Sequence, residues 1–578
     1  MDNTRIIVRE YLESLKEDGE LDYLFPILLD LMGFQIVTTP RVAKGSKQYG
    51  KDVVAIGNNT EGIRCRYYFE LKGESDKDIT THSFNKPDGI RESIQESLDK
   101  PYQDTGIPGF NDLPAVIIVV HNGLLKQEVT EQFEGFLKRN FPNGGFERWD
   151  INRLAELFYQ HLFSEYLLTD SVNVRLLKRV LMFITEPDYN FSDLRNLLIR
   201  MDAEVNGLQK KRALTKYFAS MRLIAVLITH YSEEVNNLHA GREGLTILVL
   251  HLWRWVLTNR LVNKRPIIRQ FRELLRLQYN VLDTYFQNTL PTALLPDGLF
   301  AEQGQFFEEI GYPLRSYEYL SYYVYYCELQ QYLYEGEPVP SGAEHPLSVE
   351  QKRTLFQLIE QNPGCTRPLL DSHLIPIVQV ILFALEQGPL TVTELNALQQ
   401  YVFDNLQQLH LIRLTRHRWP LMSNDLSVLA EYVSTNQRPA RYQDVSSLLI
   451  PVLFEFLVVL RSKNAYSTAV EMFKLYELPN LQMAHPIREN SSLEVDFFSG
   501  HLHEEYDTES NIDLPDDFQE LTTHLATIPI SNSPFQTDQV GLSFLRRLAQ
   551  LHFRNEPFPE EWRLYCQEAN SISVVEAS

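Results

Sequence analysis

Two short apolar runs near the N-terminus, residues 53–56 and 65–71, are separated by a polar turn. Such a pair of runs predicts two strands joined as a β-hairpin. Because side chains alternate across a strand, Glu70 and Lys72 share one face of the second strand. Asp52 stands directly before the first run. The pattern therefore predicts that two carboxylates and one amine meet on one face of the hairpin.

The hydrophobic pattern changes character along the chain. Between residues 21 and 161, helical and strand-like segments alternate, which favours an α/β domain with a central sheet. From Val172 onward, apolar residues recur at spacings of three and four, which is typical of α-helices. A segment rich in Pro, Gly and Ser, residues 336–348, reads as a linker. We predict three domains: an α/β domain over 1–168, a helical domain over 171–335 and a helical C-terminal domain over 349–578.

Two further segments carry specific predictions. Residues 312–334 are dense in tyrosine, and the rings spread all round the expected helix, which favours a core or interface helix. Residues 73–89 are polar and charged and are expected to form a mobile flap, with disorder as the alternative. His82 in this segment is either a phosphate contact or a solvated loop histidine, and the solvated role is the more common one.

Residues 375–422 run as a helix, a Gly-Pro turn, a short helix, a longer helix and two strand-like pieces around 415–418. This order resembles a winged-helix module, with Arg413, Arg416 and Arg418 in the wing. An ordinary helical hairpin is the alternative. The recognition helix of such a module, residues 396–408, contains no Lys or Arg, which argues against specific DNA readout by it.

Charge is distributed unevenly over the 578 residues, whose net charge is −22. Residues 1–168 contain 19 Lys and Arg against 27 Asp and Glu, whereas residues 171–290 contain 18 against 10. Such asymmetry is a hint about partners. The basic residues around Pro266 either follow a phosphate backbone or form a solvated helix face. These residues are Arg254, Arg260, Lys264, Arg265, Arg269, Arg272 and Arg276.

Several classes of protein are disfavoured by composition. The four cysteines are scattered and have neither disulfide-framework nor zinc-ligand spacing. The N-terminus lacks the apolar core of a signal peptide, and the most apolar window, residues 448–460, is too short to span a bilayer. These features predict a cytoplasmic protein without a membrane partner. The chain also lacks a P-loop, so any NTP hydrolysis would require a separate NTPase.

The predicted cluster of Asp52, Glu70 and Lys72 suits one kind of chemistry. Two carboxylates can hold a hard divalent cation, with Mg²⁺ expected and Mn²⁺ as a substitute. Such a cation lowers the pKa of a bound water and neutralises charge on a phosphate oxygen. Lys72 would orient or deprotonate the attacking water, or stabilise the charge developing on phosphorus. The alternative is an edge hairpin with a solvated Glu and Lys.

Asp52 before an apolar strand, followed by Glu70-Leu71-Lys72, resembles the PD-(D/E)xK nuclease motif in its Mrr-like restriction endonuclease variant. Residues 21–37 resemble the first helix and strand of that family, and residues 115–120 and 149–157 resemble its closing elements. The resemblance covers about the first 165 residues. It implies a restriction-endonuclease-like fold, with a mixed central sheet flanked by helices.

The resemblance also assigns residues. Asp52 and Glu70 would be the metal ligands, Lys72 the catalytic base or charge stabiliser, and Asp22 a second acid near the metal. The family's helical Gln corresponds to Gln95, a nucleic-acid contact to which Arg265, Arg269 and Arg272 would add others. The chain departs from the family at Lys51, which stands where the family has Pro.

The implied activity is a Mg²⁺-dependent endonuclease, with DNA as the expected substrate. Proteins that pair such a nuclease with a large helical region resemble prokaryotic restriction and antiphage-defence effectors. A non-catalytic interaction protein built on a nuclease-like core is one alternative, and an RNase of the same fold is another. A separate sensor protein and oligomerisation are the two candidate triggers of the activity.

Overall fold

A mixed sheet of five strands lies in the first of two units, Met1–Leu245 and Thr246–Ser578, of the computed structural model. The strands follow chain order across the sheet; β1, β2 and β3 are antiparallel neighbours, and β3, β4 and β5 are parallel. The strands are β1 (Gln35–Thr38), β2 (Val53–Asn58), β3 (Arg64–Lys72), β4 (Ala115–His121) and β5 (Phe146–Trp149).

The structure describes residues 3–40, 50–186, 189–205, 211–304, 306–334, 346–487, 492–500, 506–530, 533–567, 572 and 574–575. The helices up to the division between the units are α1 (Asn3–Ser14), α2 (Asp22–Leu31), α3 (Thr81–Asn85), α4 (Ile90–Asp99), α5 (Gln127–Asn140), α6 (Ile151–His161), α7 (Ser171–Phe183), α8 (Ser192–Val205), α9 (Lys211–Glu234) and α10 (Leu238–Thr258), within which the division falls.

Both faces of the sheet are covered, which explains the apolar character of its strands. On one face, Tyr68 of β3 packs in a cluster with Val54 and Ile117. On the other face, the ring of Phe69 lies 5.2 Å from that of Phe25 in α2 and 5.5 Å from that of Trp149. Alternation along β3 therefore sends neighbouring aromatic rings into two different layers, and the predicted mixed sheet flanked by helices is confirmed.

The first unit extends well beyond the boundary predicted at residues 168–171. Helix α9 packs against α1. Arg222 in α9 lies 2.8 Å from Glu10, and Lys216 lies 2.6 Å from Glu20. These pairs join residues about 200 positions apart, which local sequence patterns do not reveal. Most of the predicted linker, residues 336–345, lies outside the described residues, and residues 346–348 begin a helix.

The segment 73–89, predicted to be a mobile flap, is instead a folded part of the unit. Ile79 and Phe84 are fully buried in a core cluster that also contains Val119 of β4. Helix α3 begins with a capping box in which the Thr80 hydroxyl accepts from the Ser83 N–H at 3.1 Å. Two apolar side chains anchor the polar segment, so the flap prediction was wrong.

The second unit is mostly helical, which confirms the predicted helical region. Among its described helices, none is long and apolar enough to cross a bilayer, and the same holds for the described part of the first unit. Its further helices are α11 (Arg265–Ala293), α12 (Tyr312–Tyr334), α13 (Pro346–Gln361), α14 (Leu374–Glu386), α15 (Val392–Arg416), α16 (Leu426–Thr435), α17 (Leu449–Val459), α18 (Lys463–Phe473), α19 (Leu493–Phe497), α20 (Phe518–Thr527), α21 (Gln536–Gln539), α22 (Ser543–Phe553) and α23 (Glu560–Arg563). Its strands are β6 (Leu390–Thr391), β7 (Ser446–Ser447), β8 (Asn480–Pro486), β9 (Tyr506–Ser510) and β10 (Val574–Val575).

The tyrosine-rich helix α12 lies in the core of the second unit, as its sequence predicted. It packs against α11, α13, α14 and α22. Its buried hydroxyls find specific acceptors: Tyr317 donates to Asn405 at 2.6 Å, and Tyr325 donates to Gln278 at 2.6 Å. A buried phenol needs such a partner, so these rings serve packing and not the stacking of bases.

The segment 375–422 does not form a winged helix. A capping box of Thr391 and Glu394 starts α15, which then continues without interruption to Arg416 and ends where His417 adopts a left-handed conformation. The residues predicted as a short helix, a recognition helix and the first wing strand therefore lie on one helix. No helix breaker interrupts residues 392–416, which is the physical reason that the chain stays helical.

The three arginines of the predicted wing have internal partners. Arg416 lies 2.9 Å from the carboxylate of Glu309, and the Arg418 guanidinium lies 4.9 Å from the ring of Tyr432. Arg413 donates to the carbonyl oxygen of His417 at 3.0 Å. Their positive charges cap and anchor the end of α15, so the nucleic-acid role that a wing would have given them is withdrawn.

Candidate active site

Asp52, directly before β2, lies against the end of β3. Val53 pairs with Phe69 in the antiparallel ladder, and the N–H of Asp52 donates to the carbonyl oxygen of Phe69 at 2.9 Å. The carboxylate of Asp52 then accepts the N–H of Leu71 at 2.7 Å through Oδ2. Asp52 therefore lies close to Glu70, and the charge of Glu70 acts on the Asp52 carboxylate.

Glu70 and Lys72 form an ion pair on one face of β3, as their alternation predicted. The Lys72 amine lies 2.5 Å from Oε1 of Glu70. Glu70 is only 4 % exposed, and its second oxygen, Oε2, is buried without a hydrogen-bond partner among the described residues. An unpaired oxygen on a buried carboxylate is destabilising unless something else compensates it. One oxygen of the Glu70 carboxylate therefore lacks a partner in this ion pair.

A third carboxylate joins the cluster, and the sequence did not identify it. Glu17 lies in the turn before α2, and its Oε2 accepts the N–H of Gly73 at 2.7 Å. A Cβ on Gly73 would lie 2.9 Å from the backbone nitrogen of Glu17, so this close approach requires glycine. Asp22, predicted as the additional acid, is the first residue of α2. Its assignment near the metal stays a prediction.

The electrostatics of the cluster show an excess of negative charge. Burial, followed by the charge of Glu70, raises the pKa of Asp52 well above its ordinary value. Burial also raises the pKa of Glu17, with Lys72 opposing the shift. Burial alone would lower the pKa of Lys72, but the carboxylates of Glu70 and Glu17 outweigh it and raise that pKa. Lys72 is therefore held as a cation, which favours charge stabilisation over proton abstraction as its role.

A second buried amine approaches the cluster. Lys51 is 4 % exposed, and its amine lies 5.3 Å from the ring of Tyr68. Burial lowers the pKa of Lys51 to about 8, although Glu70 and Glu96 act in the opposite direction. In the sequence, Lys51 stands out only because the nuclease motif has Pro at its position. The structure shows that it brings a further titratable group to the site.

Gly50 allows helix α4 to pack closely against the backbone just before Asp52. Gly50 has a φ of +70°, and Ser97 in α4 donates to its carbonyl oxygen at 2.5 Å. A Cβ on Gly50 would lie 2.1 Å from the carbonyl oxygen of Ser93. The helix therefore approaches the backbone next to Lys51 as closely as the absence of a side chain permits.

Gly50→Ala is expected to destabilise the protein by about 2–4 kcal/mol, because it combines left-handed strain with an overlap against α4. Gly62→Ala is the matched control, since Gly62 has a φ of +77° and nothing within 4 Å of its Cβ position. We expect about 1 kcal/mol from the control, which has strain alone. Urea unfolding of both variants measures the difference, and equal losses would show that α4 does not seat on Gly50.

The donor set suits a hard divalent cation in part. Among the described residues, no three His, Cys, Asp or Glu side chains converge as a metal-binding group. Mg²⁺, however, is usually held by one or two carboxylates and keeps several waters. The unpaired Oε2 of Glu70 and the pKa of Asp52, raised by burial and by Glu70, indicate more carboxylate charge than the one amine of Lys72 offsets. Asp52 and Glu70 are therefore the residues that fit such an ion.

No protein-family model, curated protein or solved structure matches this chain. The chemistry of the site therefore depends on its geometry and on the residues that form it.

Gln95 and His82 do not join the carboxylate cluster through any described contact. Gln95 donates to Asp99 at 3.1 Å, one turn further along α4, and lines a separate cavity. His82 is exposed on α3. Helix α4 turns Ile94 and Ser97 inward, whereas Gln95 lies on a different side of the helix. The predicted contact of Gln95 with nucleic acid stays a prediction.

The three arginines predicted to contact nucleic acid all lie in the second unit, where two are exposed and one is hydrogen-bonded within the protein. Arg265 and Arg269 are exposed on the first turns of α11. Arg272 instead donates to the carbonyl oxygens of Tyr332 and Leu333 at 3.2 and 3.0 Å. Carbonyls in the last turn of a helix lack intrahelical partners, so Arg272 caps α12. Its side chain has a structural role that its sequence context did not indicate.

Arg272→Ala is expected to destabilise the protein by about 1.5–3 kcal/mol, because it removes charged hydrogen bonds from half-buried carbonyls. Arg265→Ala is the control: a cation in the first turn of a helix opposes the helix dipole, so its removal is expected to be neutral. Urea unfolding of the two variants tests this difference. Equal stability of the two proteins would contradict the capping role.

Proposed function

We propose that the first unit is a metal-dependent endonuclease that hydrolyses phosphodiester bonds, with DNA as the expected substrate. The observation that carries the proposal is the meeting of Asp52, Glu70 and Lys72 in one cluster, with Glu70 Oε2 left unpaired. Structural ion pairs also shift pKa values, but they normally satisfy their buried oxygens. A cluster with surplus carboxylate charge next to a fixed amine fits phosphodiester chemistry better than a purely structural pair.

In this proposal, Asp52 and Glu70 hold the ion, and Lys72 acts on the substrate. When bound, a divalent cation lowers the pKa of water and screens the negative phosphate oxygens. A water oxygen would form the new bond to phosphorus and release a proton to solvent, the ester P–O bond would break, and the leaving oxygen would take up a proton from solvent. The protonated Lys72 amine donates toward the phosphate oxygen that gains charge. The Leu71 N–H fixes the Asp52 carboxylate in its orientation.

The role of the second unit follows from the same proposal. We expect the helical unit to bind the target, a partner or a trigger, with Arg265 and Arg269 as exposed candidates for a phosphate backbone. The combination suits a cytoplasmic restriction or antiphage-defence effector that works with a separate NTPase or sensor protein. That assignment rests on the resemblance to Mrr-like nucleases and on the domain combination.

The test is nicking of supercoiled plasmid DNA and of a labelled RNA by the full chain, each with Mg²⁺ and with EDTA. We expect DNA to be nicked only with Mg²⁺ and not by Glu70→Gln, which keeps the shape of the side chain but removes its charge. RNA cleavage in place of DNA cleavage would assign the RNase alternative. If neither substrate is cut under any divalent cation, the non-catalytic alternative replaces the proposal.

A further inference from the structure

A cavity of about 720 Å³ opens between α3, α4 and α5, apart from the carboxylate cluster. Its floor includes the buried rings of Phe84 and Phe136. Arg91 and Arg139 stand at its wall on α4 and α5, together with Gln95. The cavity is therefore a shallow apolar floor with two guanidinium groups beside it, a combination that suits an anionic ligand.

The positive charge in this cavity exceeds the negative charge of its wall, where Arg91 and Arg139 face the single carboxylate of Glu92. Neither Arg91 nor Arg139 has a carboxylate partner among the described residues, and both are exposed. The Arg91 guanidinium lies 5.5 Å from the ring of Phe136, which fixes its position by a cation–π contact. Of the other charges at the wall, Lys86 is paired with Asp76 at 2.7 Å, and Glu92 accepts the N–H of Asp88 at 2.9 Å but keeps its negative charge.

The cavity lies one helix away from the carboxylate cluster. Ile90 and Ile94 of α4 pack in one core cluster with Val119, and Val119 pairs with Glu70 across the sheet. Phe84 and Phe136 of the cavity floor belong to the same core cluster, so the cavity lies on the face of the sheet that carries Glu70, at a separation of one helix diameter, about 10–12 Å. A strand of nucleic acid whose scissile phosphate lies at the cluster has other phosphates within that range.

We propose that Arg91 and Arg139 bind the phosphate backbone of the nucleic-acid strand that the carboxylate cluster cleaves. The proposal rests on the proposed nuclease function. Residues 1–168 carry eight more acids than bases, so a polyanion is repelled from most of this region and needs a local cationic contact. Guanidinium forks match phosphate oxygens in geometry, and contacts of this kind position a strand without reading its sequence.

The test is nucleic-acid binding by the full chain, measured separately from cleavage. A fluorescent 20-nucleotide duplex and the corresponding single strand are titrated in EDTA over a series of NaCl concentrations. The double variant Arg91→Ala/Arg139→Ala is expected to bind about 10- to 100-fold more weakly at low salt. Loss of two phosphate contacts lowers the slope of log K against log[salt] by about 1.8 for duplex or about 1.4 for single strand.

Arg153→Ala/Arg175→Ala is the matched control, because it removes two exposed cations from α6 and α7 of the same unit. We expect the control to keep both affinity and salt slope, and thermal melting verifies that both proteins are folded. Unchanged binding by the Arg91/Arg139 variant overturns the assignment even if the chain cuts DNA. If the double variant loses binding but the wild-type chain never cuts DNA, the phosphate contact is supported and the proposed nuclease activity is not. The assignment is also overturned if the full chain binds no nucleic acid and the double variant instead loses affinity for an acidic peptide.

Discussion

Lys72→Ala is expected to lower the rate of phosphodiester cleavage by about 10²- to 10³-fold, the loss typical of removing one group that stabilises transition-state charge. The reason is the raised pKa of Lys72: burial opposes the charge, but Glu70 and Glu17 outweigh it and keep the amine protonated. Single-turnover cleavage at saturating Mg²⁺ measures the chemical step apart from product release.

Removing Lys72 also leaves Glu70 buried without its cation, which destabilises a protein by about 3–5 kcal/mol. Lys72→Gln is therefore the second variant, because its amide can still donate to Glu70. Lys77→Ala is the control: the Lys77 amine lies 3.4 Å from Glu13 in an exposed pair that contributes little. A folded Lys72→Gln protein that cuts at the wild-type rate would remove Lys72 from the mechanism.

Asp52→Asn is expected to raise the melting temperature in EDTA and to abolish stabilisation by Mg²⁺. Burial and Glu70 raise the pKa of Asp52 in the folded state, so the folded protein binds the proton more tightly than the unfolded chain. The resulting stability is present below the ordinary Asp pKa and is lost as pH rises through the raised value. At pH values above that raised pKa, the ionised carboxylate therefore destabilises the fold, and Asn relieves this penalty.

The size of the metal effect follows from linkage. Mg²⁺ at 100 times its dissociation constant stabilises the wild type by about 2.7 kcal/mol, a shift that should vanish in Asp52→Asn. Asp78→Asn is a control of opposite sign. Burial alone would raise the pKa of Asp78, but the Leu124 N–H and Lys126 outweigh it and lower that pKa. Asp78→Asn should therefore melt lower in EDTA and keep its response to Mg²⁺. Equal Mg²⁺ shifts in wild type and Asp52→Asn would contradict the ligand role.

The hairpin with its three chemical groups could be predicted because every signal for it is local. Period-two alternation puts Glu70 and Lys72 on one face, and a short polar turn fixes the strand register. The pairing of β2 with β3 then brings Asp52, one residue before β2, close to Glu70. The central sheet was predictable for the same reason, since the apolar run of β4 is typical of a strand covered on both faces.

The rest of the site depends on contacts between distant parts of the chain. Glu17 reaches the cluster through the N–H of Gly73, 56 residues away. The Gly directly after the Glu-Leu-Lys triplet was the one available signal, because glycine in such a position often marks a close approach of two backbones. The membership of α7, α8 and α9 in the first unit also depends on long-range pairs, such as Arg222 with Glu10.

The winged helix and the mobile flap were predicted wrongly, although the sequence contains signals against both. Thr391 and Glu394 form a capping box at the start of a helix, and no helix breaker follows before Arg416, so residues 415–416 continue the helix where the sequence predicted strands. In segment 73–89, Ile79 and Phe84 mark two anchoring points that its overall polarity concealed. A few apolar residues decide whether a polar segment is folded, since each can bury its side chain in a neighbouring core.

The central claim is that one divalent cation binds where Asp52 and Glu70 meet. Anomalous diffraction from crystals of the full chain grown with Mn²⁺ tests it directly, since manganese substitutes for magnesium at oxygen-ligand sites. The account predicts one strong anomalous peak within coordination distance of both carboxylates in the wild type, and none there in Asp52→Asn. A wild-type map with no peak at this position, with Lys72 as the sole counter-ion of Glu70, would contradict it.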